Sequence, residues 1–259
     1  MIKVSMRLDY VLPEYTLEDQ FKISSEVGVD GVEIGELSEC NCMRAAELSA
    51  KYNVPVIACG YYNMWPTRLG IPFIEIKDNF DKTITCAKEL GCRTLLSLSG
   101  NSVNRDETSR LMFVENMKPV VERCEKEDIT VVLEPHNTKY INPVFDFSEY
   151  YMDTTLIGYD LIGRIKSDHV KLLFDCYHVQ TMEGDLLMNI KKNLSMIGHF
   201  HIAGVPDRDE PWNGEVSYQN IVQKINDMGY KGYYGLEYYP ENTKKIDVLA
   251  AAITYIKNS

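Results

Sequence analysis

Histidine and tryptophan are scarce in this chain, and several features that would direct it to a membrane, a nucleic acid or a dinucleotide are missing. Of 259 residues, five are histidine and two are tryptophan. Five histidines are too few for the crowded multi-zinc centre of a phosphodiester hydrolase. No uninterrupted apolar run approaches the ~20 residues of a membrane helix. No basic segment followed by an apolar stretch opens the sequence, so no signal peptide is expected. Basic residues are in deficit: 27 Lys and Arg face 38 Asp and Glu, a formal net charge of −11. Phosphate neutralisation needs a basic surface, so neither nucleic acid nor an anionic membrane is an expected partner. No GxGxxG follows the first apolar run, which removes the usual support for a dinucleotide site on an open doubly wound sheet. Low-complexity segments and Ser/Gly linkers are absent too, and one domain over residues 1–259 is the expectation.

The seven cysteines (Cys40, Cys42, Cys59, Cys86, Cys92, Cys124 and Cys176) are odd in number and form no spacing framework. The expectation is reduced thiols in a cytoplasmic protein. Cys40 and Cys42 form a CxC, but no second Cys/His pair complements it as a soft-metal site.

What is present is a rhythm. Short apolar, β-branched runs occur at 2–8, 31–35, 55–60, 94–100, 129–135, 170–175, 199–204 and 233–239. Several are near-continuous, as suits parallel strands buried on both faces. Amphipathic stretches lie between them at 16–27, 41–52, 71–90, 105–127, 147–163, 184–195, 218–228 and 243–257. Three times a helical stretch ends at Gly just before the next apolar run (EVGVDGVEI, ELGCRTLL, DMGYKGYYGLEY). Eight such units over this length predict an α/β fold, the (β/α)8 TIM barrel, with its chemistry at the C-terminal ends of the strands.

At those ends the later runs carry LEPHN with Glu134, LLFDCYH with Asp175 and His178, GHFHIAG with His201, and GLEYY with Glu237. Ionised carboxylates inside apolar runs need partners. Alone, each has a plain reading: a loop carboxylate, an ion-pair partner or, for Asp175, a helix N-cap. Together, three carboxylates and an imidazole form a hard, oxygen-rich set. It suits one divalent cation, Mn²⁺ or Mg²⁺, with Co²⁺ or Zn²⁺ as further fits. Strand alternation puts His199 on the same face as His201 and about 6.6 Å deeper, where it supports the ligands by donating to a carboxylate. Phe200 then faces the helices. The charged segment VPDRDEPWNGEVSY is too long for a minimal connection, and its Arg208 could clamp an anionic or polyhydroxy substrate. His178 is a further substrate contact, Trp65 a wall of the same rim, and Lys139 and Tyr140 are weaker candidates.

LEPHN, FDCYHVQTMEGD, HFHIAGVPDRDEPWNGEVSY and GLEYYP resemble, in order and spacing, the xylose-isomerase-like TIM-barrel superfamily. Within it the likeness is to the hydroxypyruvate isomerase family, through an IAG-x-P-x-R-x-EP-x-x-GE-x-x-Y signature at Ile202 to Tyr218. The resemblance implies a metal held by Glu134, Asp175, His201 and Glu237, and Glu134 and Glu237 as the acid/base pair. It also implies substrate contacts at His178 and Arg208. The substrate would be a small carbohydrate or keto acid, isomerised by proton transfer beside its carbonyl, and a homo-oligomer is compatible. Three positions depart from the family's pattern, one of them His136, which is not the residue expected after the first Glu. His201 often stands as Gln there and is more like the ketose 3-epimerases; those also carry a second Glu in the region where Tyr140 stands. Ketose 3-epimerisation and an inosose-dehydratase-like lyase reaction are the alternatives.

Overall fold

The computed structural model describes residues 1–62, 71–102, 104–140, 146–240 and 245–259. Eight parallel strands close into a barrel in sequence order: β1 (Lys3–Arg7), β2 (Gly31–Ile34), β3 (Val56–Cys59), β4 (Thr94–Leu98), β5 (Thr130–Glu134), β6 (Val170–Asp175), β7 (Ile197–Ile202) and β8 (Tyr233–Leu236). The helices are α1 (Leu8–Val11), α2 (Leu17–Val27), α3 (Glu39–Tyr52), α4 (Phe73–Glu89), α5 (Glu107–Glu127), α6 (Thr155–Ile165), α7 (Cys176–Met182), α8 (Leu186–Asn193), α9 (Tyr218–Asp227) and α10 (Lys245–Lys257). This is a (β/α)8 TIM barrel. Among the described residues, no helix is long and apolar enough to cross a membrane.

Strand alternation builds two cores from each apolar run. Ala58, Leu96, Val132 and Leu173 form a small cluster of their own inside the barrel. Their neighbours Cys59, Leu95, Val131, Leu133, Leu172 and Phe174 join the large outer core. One pleat above Val132 and Leu173, the same inward face carries Glu134 and Asp175. The polar site thus stands directly on an apolar floor. Phe200 points the other way, stacked on Tyr234 with ring centroids 5.7 Å apart.

Helix ends follow local chemistry. Thr16 caps α2 by accepting from the Asp19 N–H, and Gly28 ends it at φ +73°. Asp106 caps α5 by accepting from the Ser109 N–H. Two segments depart from the sequence-based expectation. The helix expected over 147–163 begins at Thr155. Before it, the chain turns back over the barrel, with the Tyr150 hydroxyl donating to the Glu134 carbonyl at 2.9 Å. A tertiary hydrogen bond therefore overrides the helical spacing of FSEYYM. In addition, β6 passes without a loop into α7, because Asp175 caps that helix through the Tyr177 N–H at 2.8 Å.

The expectation of seven reduced thiols is corrected for one pair. Cys42 of α3 and Cys86 of α4, 44 residues apart in sequence, form a disulfide. Packing of α3 against α4 makes this neighbourhood, which no sequence spacing encodes. Cys40 is exposed and its CxC partner is bonded elsewhere, so the CxC does not assemble as a metal pair.

At the top of β2 and β3 the backbones of Gly35 and Gly60 touch: a Cβ on Gly60 would lie within bonding range of the Gly35 carbonyl oxygen. Gly60→Ala is therefore expected to destabilise the fold by ~3 kcal/mol, the upper part of the usual overpacking range, because backbone rather than a movable side chain must yield. Urea unfolding measures it; an unchanged midpoint contradicts this packing.

Candidate active site

The register of the barrel brings the strand-end residues to one level. Arg7 pairs with Glu33 across β1 and β2, and Asp175 with His201 across β6 and β7. Glu237 follows β8, its N–H bonded to the Ile202 carbonyl. Glu134, Asp175, His201 and Glu237 are all buried, and each offers a donor atom within 4.8 Å of the others. Trp65 lies outside the described residues, and Tyr140 is exposed and does not belong to this cluster. Lys139 is tied to the Thr181 carbonyl.

His201 is oriented from both sides. Its Nε2 lies 2.9 Å from Glu33 Oε2, and its Nδ1 faces Glu237 Oε2 at 3.1 Å and Glu134 Oε1 at 3.8 Å. His199 Nε2 reaches the other Glu33 oxygen at 2.9 Å, and Ser5 Oγ donates to it at 2.6 Å. Glu33 is therefore the carboxylate that both histidines of GHFHIAG address. Burial opposes its ionisation, but His199 and His201 outweigh burial and hold its carboxyl well below the usual range. Burial disfavours the charged form of His201, but Glu237 and Glu33 outweigh it and hold the imidazole well above its usual range, so Nδ1 also carries a proton; a metal would displace that proton while Glu33 keeps the one on Nε2.

Glu237 is gripped by two arginines. Arg7 Nη1 donates to Oε1 at 2.7 Å, and Arg208 Nη2 donates to Oε2 at 2.7 Å. Burial disfavours the charged form, yet His201, Arg7 and Arg208 hold the Glu237 carboxyl at about 2. Arg7 is wholly buried and also forks onto Asp9. Arg208 also reaches Asp175 Oδ2 at 3.2 Å. The Tyr10 ring lies against both guanidiniums, 5.0 Å from that of Arg7 and 4.9 Å from that of Arg208. Glu134 is different: its Oε1 is buried with no hydrogen-bond partner.

His178 has its tautomer set by the backbone. The Asn137 N–H donates to Nδ1 at 3.2 Å, so that nitrogen is the acceptor and Nε2 carries the proton. Burial, with His136 and Arg208 nearby, keeps this imidazole neutral by holding it well below its usual range. Nε2–H points toward Asp175 Oδ2 at 3.4 Å and Glu134 Oε1 at 4.0 Å. Glu134, His136 and His178 also approach one another within metal-binding distance, but an imidazole that already accepts at Nδ1 and is protonated at Nε2 has no lone pair to give. The other fully buried trio, Glu33, His199 and His201, has its facing atoms paired internally.

The main cluster fits a divalent cation on charge as well as donors. Once an ion displaces the His201 Nδ1 proton, four buried carboxylates (Glu33, Glu134, Asp175, Glu237) against two buried guanidiniums (Arg7, Arg208) leave two negative charges, while half-exposed Asp9 keeps contact with water. Burial pushes the Asp175 carboxyl up to about 7, with the Glu237 and Glu134 charges adding to it against the pull of Arg208. A divalent ion would offset that excess and satisfy the unpartnered Glu134 oxygen.

A family model described as xylose isomerase-like TIM barrel matches residues 21–259. The chain belongs to that family. Among its relatives, hydroxypyruvate isomerase of Escherichia coli K12 is 28% identical over 259 residues, covering 94% of this chain and 95% of that protein. A 2-oxo-tetronate isomerase of Cupriavidus necator is 34% identical over 131 residues, a match spanning 51% of this chain and about half, 48%, of that protein. A solved family structure, an AP endonuclease, family 2, from Brucella melitensis, superposes with a TM-score of 0.88 at 28% identity over 98% of this chain and 99% of that one. Family membership makes the barrel mouth the place to look for chemistry. Two residues there, Glu33 and Arg7, were not singled out in the sequence. The signal available was a lone charge inside an apolar run, as in GVEIG and VSMRL.

Proposed function

We propose that this chain is a divalent-metal-dependent isomerase of a small keto or hydroxy sugar or sugar acid, hydroxypyruvate-isomerase-like. At the coarser level of a sugar isomerase or epimerase, the reading is supported by the full-length likeness to the E. coli enzyme. The observation that carries the finer one is the unpartnered Glu134 Oε1, poised over a cluster whose other carboxylates are already engaged.

Glu134, Asp175, His201 and Glu237 would hold the ion. Bound there, a divalent cation supplies Lewis-acid polarisation of the substrate carbonyl and neutralises the oxygen charge that develops. Glu134 takes the proton from the hydroxyl-bearing carbon beside the carbonyl and returns it to the former carbonyl carbon, while the hydroxyl proton passes to the former carbonyl oxygen. Glu237, held on both oxygens by arginines, serves as a fixed ligand and a weaker partner in proton transfer. His178 Nε2–H and the Arg208 guanidinium orient the substrate oxygens, and the buried walls exclude water.

The test is an activity screen with hydroxypyruvate, 2-oxo-tetronates and ketoses, each with added Mn²⁺ or Mg²⁺ and with EDTA. We expect turnover of at least one substrate, its loss in EDTA and its return on adding metal. Product analysis separates isomerisation from 3-epimerisation and from dehydration. Metal-independent turnover, or none across the panel, counts against the reading. The name of the Brucella neighbour raises phosphodiester cleavage as a rival. A net charge of −11 and two site arginines committed to carboxylates leave little to grip a phosphate backbone. Binding of abasic-site DNA at low salt would revive that rival.

A further inference from the structure

His136 stands between the two parts of this centre, and neither the metal cluster nor the substrate contacts account for it. Its ring is buried, and its Nε2 lies 3.2 Å from Glu134 Oε2, the oxygen on the far side from the unpartnered Oε1. The contact falls short of hydrogen-bond alignment, as donors in enzyme sites often do before substrate binds. One face of the ring lies against His178, with centroids 4.1 Å apart and planes 39° apart. Phe147 at 4.5 Å and Tyr150 at 5.2 Å complete the packing around it. Tyr150 in turn donates to the Glu134 carbonyl, so the box is anchored to the strand that carries the glutamate.

We propose that His136 is a positioning residue: its Nε2 steers Glu134 Oε2, and its ring backs the imidazole of His178. One side chain then sets the geometry of both the proton carrier and a substrate donor. The inference rests on Glu134 being that proton carrier. The physical reason is the length of a glutamate. A side chain with three torsions, one oxygen of which has no partner, swings unless its other oxygen is restrained. A donor on Oε2 leaves Oε1 the oxygen that faces the substrate. His178 needs the second restraint: Asn137 fixes its tautomer, but only a packed face fixes the direction in which Nε2–H points.

The two roles use different atoms and can be separated. His136→Phe keeps a ring against His178 and removes the donor. His136→Gln keeps a donor and removes the ring. His136→Leu removes both. In the active substrate–metal pair, the Phe variant is expected to lose roughly tenfold or more in kcat with KM within about threefold. The Gln variant should raise KM by roughly tenfold with kcat within about threefold, and the Leu variant should show both losses. Mn²⁺ affinity by calorimetry should stay within about threefold in the Gln variant and weaken by roughly tenfold in the Phe and Leu variants, where Glu134 loses its restraint. A role confined to packing predicts the opposite ordering, with Phe harmless and Gln and Leu lowering melting temperature together; that result, or three variants indistinguishable from the parent, overturns the proposal. An ¹⁵N imidazole spectrum decides even if no substrate is turned over. The His178 Nε2–H signal should hold in the Phe variant and move in the Gln and Leu variants; equal movement in all three sinks the positioning role, whereas lack of turnover alone bears on the functional reading.

Discussion

Replacing Glu134 by Gln is expected to stop solvent deuterium from entering the substrate, lowering exchange and kcat by roughly 10³-fold or more while metal stays bound. The argument is geometric. Gln has the shape of Glu and keeps one oxygen to turn toward the cation, but its amide cannot take a proton from carbon. Asp175, His201 and Glu237 remain to hold the ion, so Mn²⁺ affinity should weaken far less than the rate. The counterpart Glu237→Gln should leave exchange measurable but weaken metal binding, because the charge that Arg7 and Arg208 jointly address is gone. NMR of substrate protons in D₂O, with calorimetric Mn²⁺ titration of each variant, reads both quantities. Retained exchange in Glu134→Gln would remove Glu134 from the role of proton carrier.

The largest effect on stability is expected at a residue that touches no substrate. Glu33 accepts from Ser5, His199 and His201 with no exposed surface. Truncation to Ala would leave two imidazoles and a hydroxyl buried without their acceptor. Removing one partner from a buried charged network costs about 3–5 kcal/mol. The second consequence is on the metal. Without Glu33, nothing holds the proton on His201 Nε2, and the ring loses the orientation that aims Nδ1 at the cluster. Loss of such an outer partner weakens metal affinity by roughly 10–100-fold. Glu33→Gln should fall between, since an amide oxygen can serve one imidazole but its NH₂ opposes the other. Urea denaturation of the metal-free protein and Mn²⁺ titration separate the two effects. A Glu33→Ala protein with parental stability and parental affinity would show that the histidines find other partners.

Much of this centre was readable in one dimension because strand ends are local features. An apolar run that stops at a carboxylate or imidazole places that group at the mouth of the barrel, whatever lies next to it in space. Glu134, Asp175, His201 and Glu237 each carry that mark, and eight repeats of run and amphipathic stretch predicted the barrel that gathers them. The same logic separates the two histidines of GHFHIAG by depth, without naming the carboxylate that both address. The helix expected over 147–163 fails for a reason that local spacing cannot carry: the Tyr150 hydroxyl finds the Glu134 carbonyl across a loop. The Cys42–Cys86 disulfide likewise depends on α3 lying beside α4.

Barrel closure decided the rest. Pairing of β1 with β8 sets Arg7 against Glu237, 230 residues away, and the inward pleats of β2 and β7 set Glu33 against His199, 166 residues away. A charge inside VSMRL or GVEIG has several satisfactory fates in a folded protein, and its own neighbours do not choose among them. The type of residue at each strand end follows from local burial and alternation. Which carboxylate each guanidinium and imidazole addresses, and hence which glutamate is clamped and which has an oxygen free, follows only from the register of a closed sheet.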